Sequence, residues 1–399
     1  MKKGWLTKTL GEVLEKTETV NPLQSPNTEF DYIDVSSVSN TTFEIEETQR
    51  LKGKDAPSRA RKLVRTNDII FATIRPTLQR IAVVPEHLDK QVCSTGYFVL
   101  RPKQGIDYRF VFYSLFTENF IGQMESLQKG ASYPAVTDGD VRAQEIPVPP
   151  LAEQQRIVGL LDEAFEGLAT AKANAEKNLQ NARALFESHL QSVFTQRGPG
   201  WEQKRMVELC SIITCGVAST PKYVDETVGV PFLSAQNVKD GEVLLKKYRF
   251  ISRGFHEKLT KKNKPQVGDI LYSRVGAKFG EAAVVEHDFE FSVYVSLTLI
   301  RPIATKLDNY FLKLYLNSPS IKLLAKKSIS SSGVPNLNVK DVREFPISFP
   351  SIEKQRRIVS EITTLQEETQ RLARIYERKL AALAELKKSL LHQAFTGEL

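Results

Sequence analysis

The sequence predicts an α+β chain. Two pseudo-repeated mixed α/β heads are each followed by one long helix. The two helices are expected to pair antiparallel as a coiled coil, and the repeat to close in a circular, pseudo-twofold arrangement. Three observations carry this expectation. The chain repeats itself at a constant offset, each head ends at a proline-marked exit, and each exit opens a tail with helical apolar spacing. NDIIFATIRPTLQRIAVV from Asn67 answers GDILYSRVGAKFGEAAVV from Gly268. LAEQQRIV from Leu151 answers IEKQRRIV from Ile352, and SHLQSVFT from Ser188 answers SLLHQAFT from Ser389. All three pairs share one offset, 201 residues. The boundaries follow: a head over 1–150, a helical segment over 151–197, a second head over 198–351 and a second helical segment over 352–399.

The elements of each head come in the same order. DIIFATI, IAVV and GYFVLRP are short runs rich in branched and aromatic residues, which suit strands; DILYSRV, AAVV and VSLTLIRP repeat them. YRFVFYSLFTENFIGQMESL and NYFLKLYLNSPSIKLLAKK are the helical pieces. The exits EIPVPPLAEQ and EFPISFPSIEKQ hold prolines that stop a strand and turn the chain into a helix. In the first tail Leu161, Phe165, Leu168, Ala175, Leu179, Ala182, Phe186 and Val193 mostly keep a spacing of three or four. Ile362, Leu365, Leu372, Tyr376, Leu383, Leu386 and Leu390 do so in the second. The narrow seam of a period near 3.5 is the coiled-coil pattern. Such a helix spans roughly 60 Å at 1.5 Å per residue and needs a mate, for which the other tail is the obvious choice. Packing of each helix on its own head is the alternative. Trp201, just beyond the first tail, is matched by Trp5 at the other end of the chain, so the repeat reads as circular.

Bulk composition narrows the class. A chain of 399 residues suits two domains, and 41% hydrophobic residues are enough for folded cores. A formal charge of +8 favours an acidic partner. No run of about 18 apolar residues favours a membrane, and the opening MKKGWLTKTLGEVLEK lacks the apolar region of a signal peptide. The odd cysteine count (Cys93, Cys210, Cys215) points to a reducing compartment, hence the cytoplasm. Cys210 and Cys215 have no partner pair with zinc spacing and read as small buried hydrophobes.

No catalytic constellation is present in the sequence. There is no phosphate-binding glycine loop, no G-x-G-x-x-G after a strand and no G-x-S-x-G elbow. VNPL at Val20 lacks the aromatic pair of an amino-methyltransferase tetrapeptide. His87, His189, His256, His287 and His392 stand outside any metal-ligand frame, so no metal site is expected.

Basic residues are better placed. A cluster including Arg61 and Lys62 precedes Asp68, and one including Lys261 and Lys262 precedes Asp269. Two such clusters at equivalent places suit contact with phosphates; ordinary basic surface loops are the alternative. After each strand comes a polar loop, with Arg75, Gln79 and Arg80 in the first copy and Arg274 and Lys278 in the second. Arginine can bridge guanine O6 and N7, and glutamine or asparagine adenine N6 and N7. Lys129, Ser132 and Tyr133 form a further candidate surface opposite Asn336 and Asn338, and SAQNV adds Gln236 and Asn237. Any of these could instead cap a helix or close a turn.

With its two exits IPVPPLAEQQRIV and ISFPSIEKQRRIV, its strand–loop elements NDIIFATI and GDILYSRVGAKFG, and tails ending FT, the whole chain resembles the specificity (S) subunit of Type I restriction-modification systems. The resemblance implies two target recognition domains that read unlike halves of an asymmetric bipartite DNA site, held apart by the helical spacers. It implies a non-catalytic DNA-binding subunit in the prokaryotic cytoplasm. Its partners would be double-stranded DNA, two modification (adenine methyltransferase) subunits and the restriction subunits. S-adenosylmethionine, ATP and Mg would belong to those subunits, with no cofactor in this chain. Two other readings are an enzyme in its own right, which a catalytic motif would mark, and a coiled-coil scaffold that binds only protein.

Overall fold

In the computed structural model, residues 4–196, 198–217, 219–276, 279–329 and 335–399 are described. The chain forms two compact units, Met1–Glu176 with Arg378–Leu399, and Lys177–Glu377. The long helices are Leu151–Thr195 and Ile352–Thr396, and each contributes its first part to one unit and its second part to the other. Among the described residues no helix is long and apolar enough to cross a membrane.

In the first unit Ile69–Ala72 is the middle strand of three, antiparallel to Ile81–Val83 and to Tyr97–Leu100. These runs are buried throughout or nearly so, which is why they read as continuous rather than alternating apolar stretches. A second sheet orders Gln49–Lys52, Glu29–Ile33, Val92–Ser94 and Ala60–Leu63. In the second unit Ile270–Ser273 pairs with Ala282–Val284 and with Leu297–Pro302, and Cys210–Cys215 extends that sheet. Cys93 and Cys210 are core residues whose thiols burial pushes up to about 12, so they are inert packing; Cys215 is half-buried.

The predicted helical runs each divide in two. Tyr108–Ser114 and Glu118–Leu127 are separated at Thr117, whose hydroxyl caps the second helix by accepting from Phe120 N–H. Asn309–Asn317 and Pro319–Lys327 are separated at Ser318, because Pro319 suits only the first turn of a new helix.

Two repeated side chains explain why the exit motifs recur. Gln154, fully buried, accepts from Asp107 N–H at 2.8 Å and donates to Pro149 O at 2.8 Å. Gln355 does the same with Asp308 N–H at 2.8 Å and Pro350 O at 2.8 Å. Each amide ties a long helix to the N-cap of a head helix and satisfies backbone groups that water cannot reach. Asp68 and Asp269 are structural too. Each takes a two-pronged bond from an arginine at the end of the neighbouring strand, Arg101 just past it at 2.9 and 2.8 Å and Arg301 at 2.7 and 2.8 Å.

Within each unit the two helix segments run antiparallel. In the first, Ile157, Val158 and Leu161 share a core with Leu391 and Ala394; Arg156 bonds Leu399 O while Phe165, further along, meets Lys387. Trp5, Phe110 and Phe395 complete that core. In the second, Leu190 and Phe194 join Ile358 and Ile362, and Arg183 reaches Glu377 at 2.9 Å. Trp201 and Phe311 are the counterparts of Trp5 and Phe110. The apolar seam is shorter than its sequence pattern: Leu372 and Leu386 are exposed, and the heads cover the helices at Ile157, Val158, Leu190 and Phe194 instead.

Candidate nucleic-acid interface

The loops beyond the central strands are built from backbone geometry few side chains adopt. In the first unit the chain turns over 74–80 with Arg75 at φ +50° and Gln79 at φ +52°. Arg75 N–H donates to Pro134 O at 2.7 Å, which docks this turn on the hairpin 129–135. That hairpin is closed by paired bonds of 2.9 Å between Lys129 and Ala135. Gly130 has φ +101°, and a β-carbon there would lie 2.9 Å from Tyr133 O, so only glycine fits the tip. The result is an exposed pair: the Arg75 guanidinium lies 5.2 Å from the centroid of Tyr133, which is 72% exposed. Ser132 and Lys129 are exposed beside them in sequence, and Gln79 is half-buried.

The second unit repeats the frame with other residues. Gly276 N–H donates to Pro335 O at 3.2 Å, so Gly276 holds the place of Arg75. Arg274 is therefore not the counterpart of Arg75. It occupies the place of Thr73, facing inward, and its role as a loop reader is corrected: it is 7% exposed. It donates to Leu337 O at 2.7 Å, Val295 O at 3.0 Å and Asn336 Oδ1 at 2.9 Å. Asn336 stays exposed.

Several other candidates serve the scaffold. Asn237 is fully buried; it accepts from Ser234 N–H at 3.0 Å and donates to Leu244 O and Lys246 O at 3.1 Å each, and so is corrected from reader to turn-closer. Lys62 is held by Asp138 at 2.7 Å and Tyr97 O at 2.6 Å. Arg80 donates to Val38 O at 2.5 Å, and Arg61 to Ala60 O at 2.8 Å. At the place of Arg80 the second unit has Glu281, which accepts from Asp240 N–H at 3.1 Å; opposite charges there tether the same hairpin by opposite backbone groups. Asn338 caps the helix Val339–Glu344 through Lys340 N–H. Lys261 and Lys262 are exposed after the helix Arg253–Thr260, as is Gln236, whose amide donates to Lys247 O at 3.0 Å. Lys278 lies outside the described residues.

The structure adds a pairing that sequence reading missed, between Tyr223 and Arg249 of the basic cluster before Asp269. Arg249, exposed, lies 4.4 Å from the centroid of Tyr223, brought together by a bridge between Tyr223 and Ile251. At the repeat offset of 201 the first copy has Pro22 in place of Tyr223, so the repeat offered no signal. Nearby in the chain, Glu290 collects Arg253 at 2.9 Å, Lys264 at 3.2 Å and the buried His256 at 3.3 Å. Bonds from Arg253 and then Lys264 hold its carboxyl low, at about 2.

One frame with two unlike loop sets defines a duplicated recognition subunit, its scaffold shared and its exposed groups distinct. Residues 2–179 and 199–377 each match the Type I restriction modification DNA specificity domain. The chain belongs to that family, and it is a specificity subunit rather than a catalytic one. It is 26% identical over 326 residues to the EcoKI specificity subunit of Escherichia coli K12, covering 77% of this chain and 69% of that protein. It is 21% identical to the MjaIX specificity subunit of Methanocaldococcus jannaschii, over 83% of this chain and 77% of that one. A solved chain from work on complex assembly and conformational transition of the type I R-M system is similar over 100% of this chain and 99% of its own, with 32% identity and a TM-score of 0.86. The crystal structure of the HsdS subunit from Thermoanaerobacter tengcongensis is similar over 100% and 98%, with 31% identity and a TM-score of 0.70.

Proposed function

We propose that the two heads read the two unlike halves of an asymmetric bipartite DNA target, while the long helices serve as the spacer and as the platform for two modification methyltransferase subunits and the restriction subunits. S-adenosylmethionine, ATP and Mg enter with those subunits. The observation that carries this reading is the same frame presenting Arg75 and Tyr133 in one unit and Gly276 and Asn336 in the other. The exposed groups Arg75, Ser132, Tyr133, Gln236, Asn336 and the capping Asn338, together with the half-buried Gln79 and with Lys278, are the candidates for base edges. Lys129, Lys261 and Lys262 are candidates for phosphates, which position the protein without carrying sequence.

The test is a head exchange. Replacing residues 1–150 with the head of a relative, and mapping methylated adenines in a host that supplies the modification subunit, should change one half of the methylated motif. Change in both halves, or in neither, refutes independent reading. DNA binding no stronger on the target than on random sequence would favour the protein-only scaffold.

A further inference from the structure

The units differ in what lies between head and helices. In the first, the loop joining Val38 to Ile45 carries Phe43 at φ +59°. Its ring meets Phe116 edge-on, with centroids 4.7 Å apart. Lys387 lies 5.1 Å from the centroids of both Phe43 and Phe165. Phe116 continues onto Phe112 at 5.0 Å, and Phe165 onto Tyr113 at 5.5 Å. Aromatic rings fill this space, capped by one ammonium.

The second unit keeps the frame and lacks the filling. Its hairpin between Val238 and Val243 is two residues shorter and turns at Asp240 and Gly241, with no aromatic residue. At the repeat offset of 201, Asn317 replaces Phe116, Lys313 replaces Phe112, Leu314 replaces Tyr113 and Gln366 replaces Phe165, while Phe186 replaces Lys387. All five replacements, with Asp240 and Gly241, line an open cavity of about 640 Å³. That volume falls within the usual range of small-ligand sites, about 300–1,000 Å³.

Lys313 decides which chemistry suits it. Burial lowers its pKa, and among the described residues it forms no ion pair. Its ammonium lies 5.4 Å from the centroid of Tyr310. Counted with Lys313, the charges on the walls balance: Glu187, Asp240 and Glu281 stand against Arg183, Lys313 and Lys322, and Arg183 is already paired with Glu377. A charged guest therefore gains little. An aromatic face gains a partly desolvated ammonium to stack under, the arrangement Lys387 makes over Phe43.

We propose that this cavity of the second unit is a binding site for a small neutral aromatic molecule, whose ring takes the part that Phe43 plays in the first unit. The test uses the full chain and three probes, indole, p-cresol and the non-aromatic cyclohexanol, with binding measured by calorimetry and ligand-observed NMR. Indole and p-cresol should bind with a Kd of about 1 mM or tighter, and cyclohexanol at least about tenfold more weakly. Gly241→Phe should weaken indole binding by about tenfold or more, since Phe43 is itself a phenylalanine at positive φ in the corresponding hairpin. Gln366→Phe, which restores the ring of Phe165 at its counterpart, should do the same and covers the case that the first variant fails to fold by circular dichroism. Lys313→Met should remove the preference for indole over cyclohexanol. Absence of indole binding up to about 10 mM, equal binding of cyclohexanol, or undiminished binding in a folded filled variant overturns the proposal.

Discussion

Arg274→Met separates a structural arginine from a base-reading one. The substitution keeps the length of an apolar stem and removes the guanidinium. Three bonds disappear, to Leu337 O at 2.7 Å, Val295 O at 3.0 Å and Asn336 Oδ1 at 2.9 Å. Asn336 is exposed and can turn to water, so its loss costs little. The carbonyls of Leu337 and Val295 are served by a side chain only 7% exposed, and each unsatisfied buried carbonyl costs about 1–3 kcal/mol. Relief from burying a guanidinium offsets part of this, leaving a net loss of about 2–4 kcal/mol. Urea denaturation should show the midpoint falling with unchanged slope. Binding to target and random DNA, measured well below the new melting temperature, should fall modestly and together. Asn336→Ala should leave the midpoint nearly unchanged. An unaltered midpoint for Arg274→Met, with a loss of about 1–3 kcal/mol confined to the target sequence, would refute this reasoning and return Arg274 to the bases.

Three further outcomes are expected. Arg75→Ala and Tyr133→Ala remove an exposed cation–π pair worth about 0.5–1 kcal/mol, so thermal melting should barely move; competition binding should show the loss falling on target more than on random DNA. Gln154→Leu and Gln355→Leu each strand a buried N–H and a buried carbonyl and should each cost about 2–4 kcal/mol in chemical denaturation, whereas the exposed neighbour changed in Gln155→Ala should stay within about 0.5 kcal/mol. The Glu290 carboxyl is held at about 2 in the fold, below its usual 4.5, so its contribution is present above pH 4.5 and is lost as pH falls from 4.5 towards 2; Glu290→Gln should flatten the acid limb of a stability–pH curve in that window and leave pH 7 to 9 unchanged in slope.

Much of the frame was legible because the repeat is written in residues that do frame work. Gln154 and Gln355, Asp68 and Asp269, Phe110 and Phe311, and Trp5 and Trp201 each recur, and each pair makes the same contact in its own unit. The candidate site was less legible. A polar side chain near a loop looks the same in sequence whether it faces water or a carbonyl. Asn237 and Arg274 were placed among readers because their neighbours are polar, and both turn inward to close turns. The seam was overextended at Leu372 and Leu386 because apolar spacing marks a helical face and not the length over which a partner covers it.

By itself the sequence determined the duplication, the three central strands of each head, the start of both long helices at Leu151 and Ile352, and the family. These depend on periodicity, proline placement and self-similarity, which are properties of residues close along the chain. The tertiary structure alone decided which cations are free and which are spent. Lys62 is bound by Asp138, 76 residues away, and Arg274 by Leu337, 63 away. It also decided that Phe43 fills the first unit while the second keeps a cavity. Burial and hydrogen-bond satisfaction are set by residues brought together from distant parts of the chain, and local pattern carries no record of them.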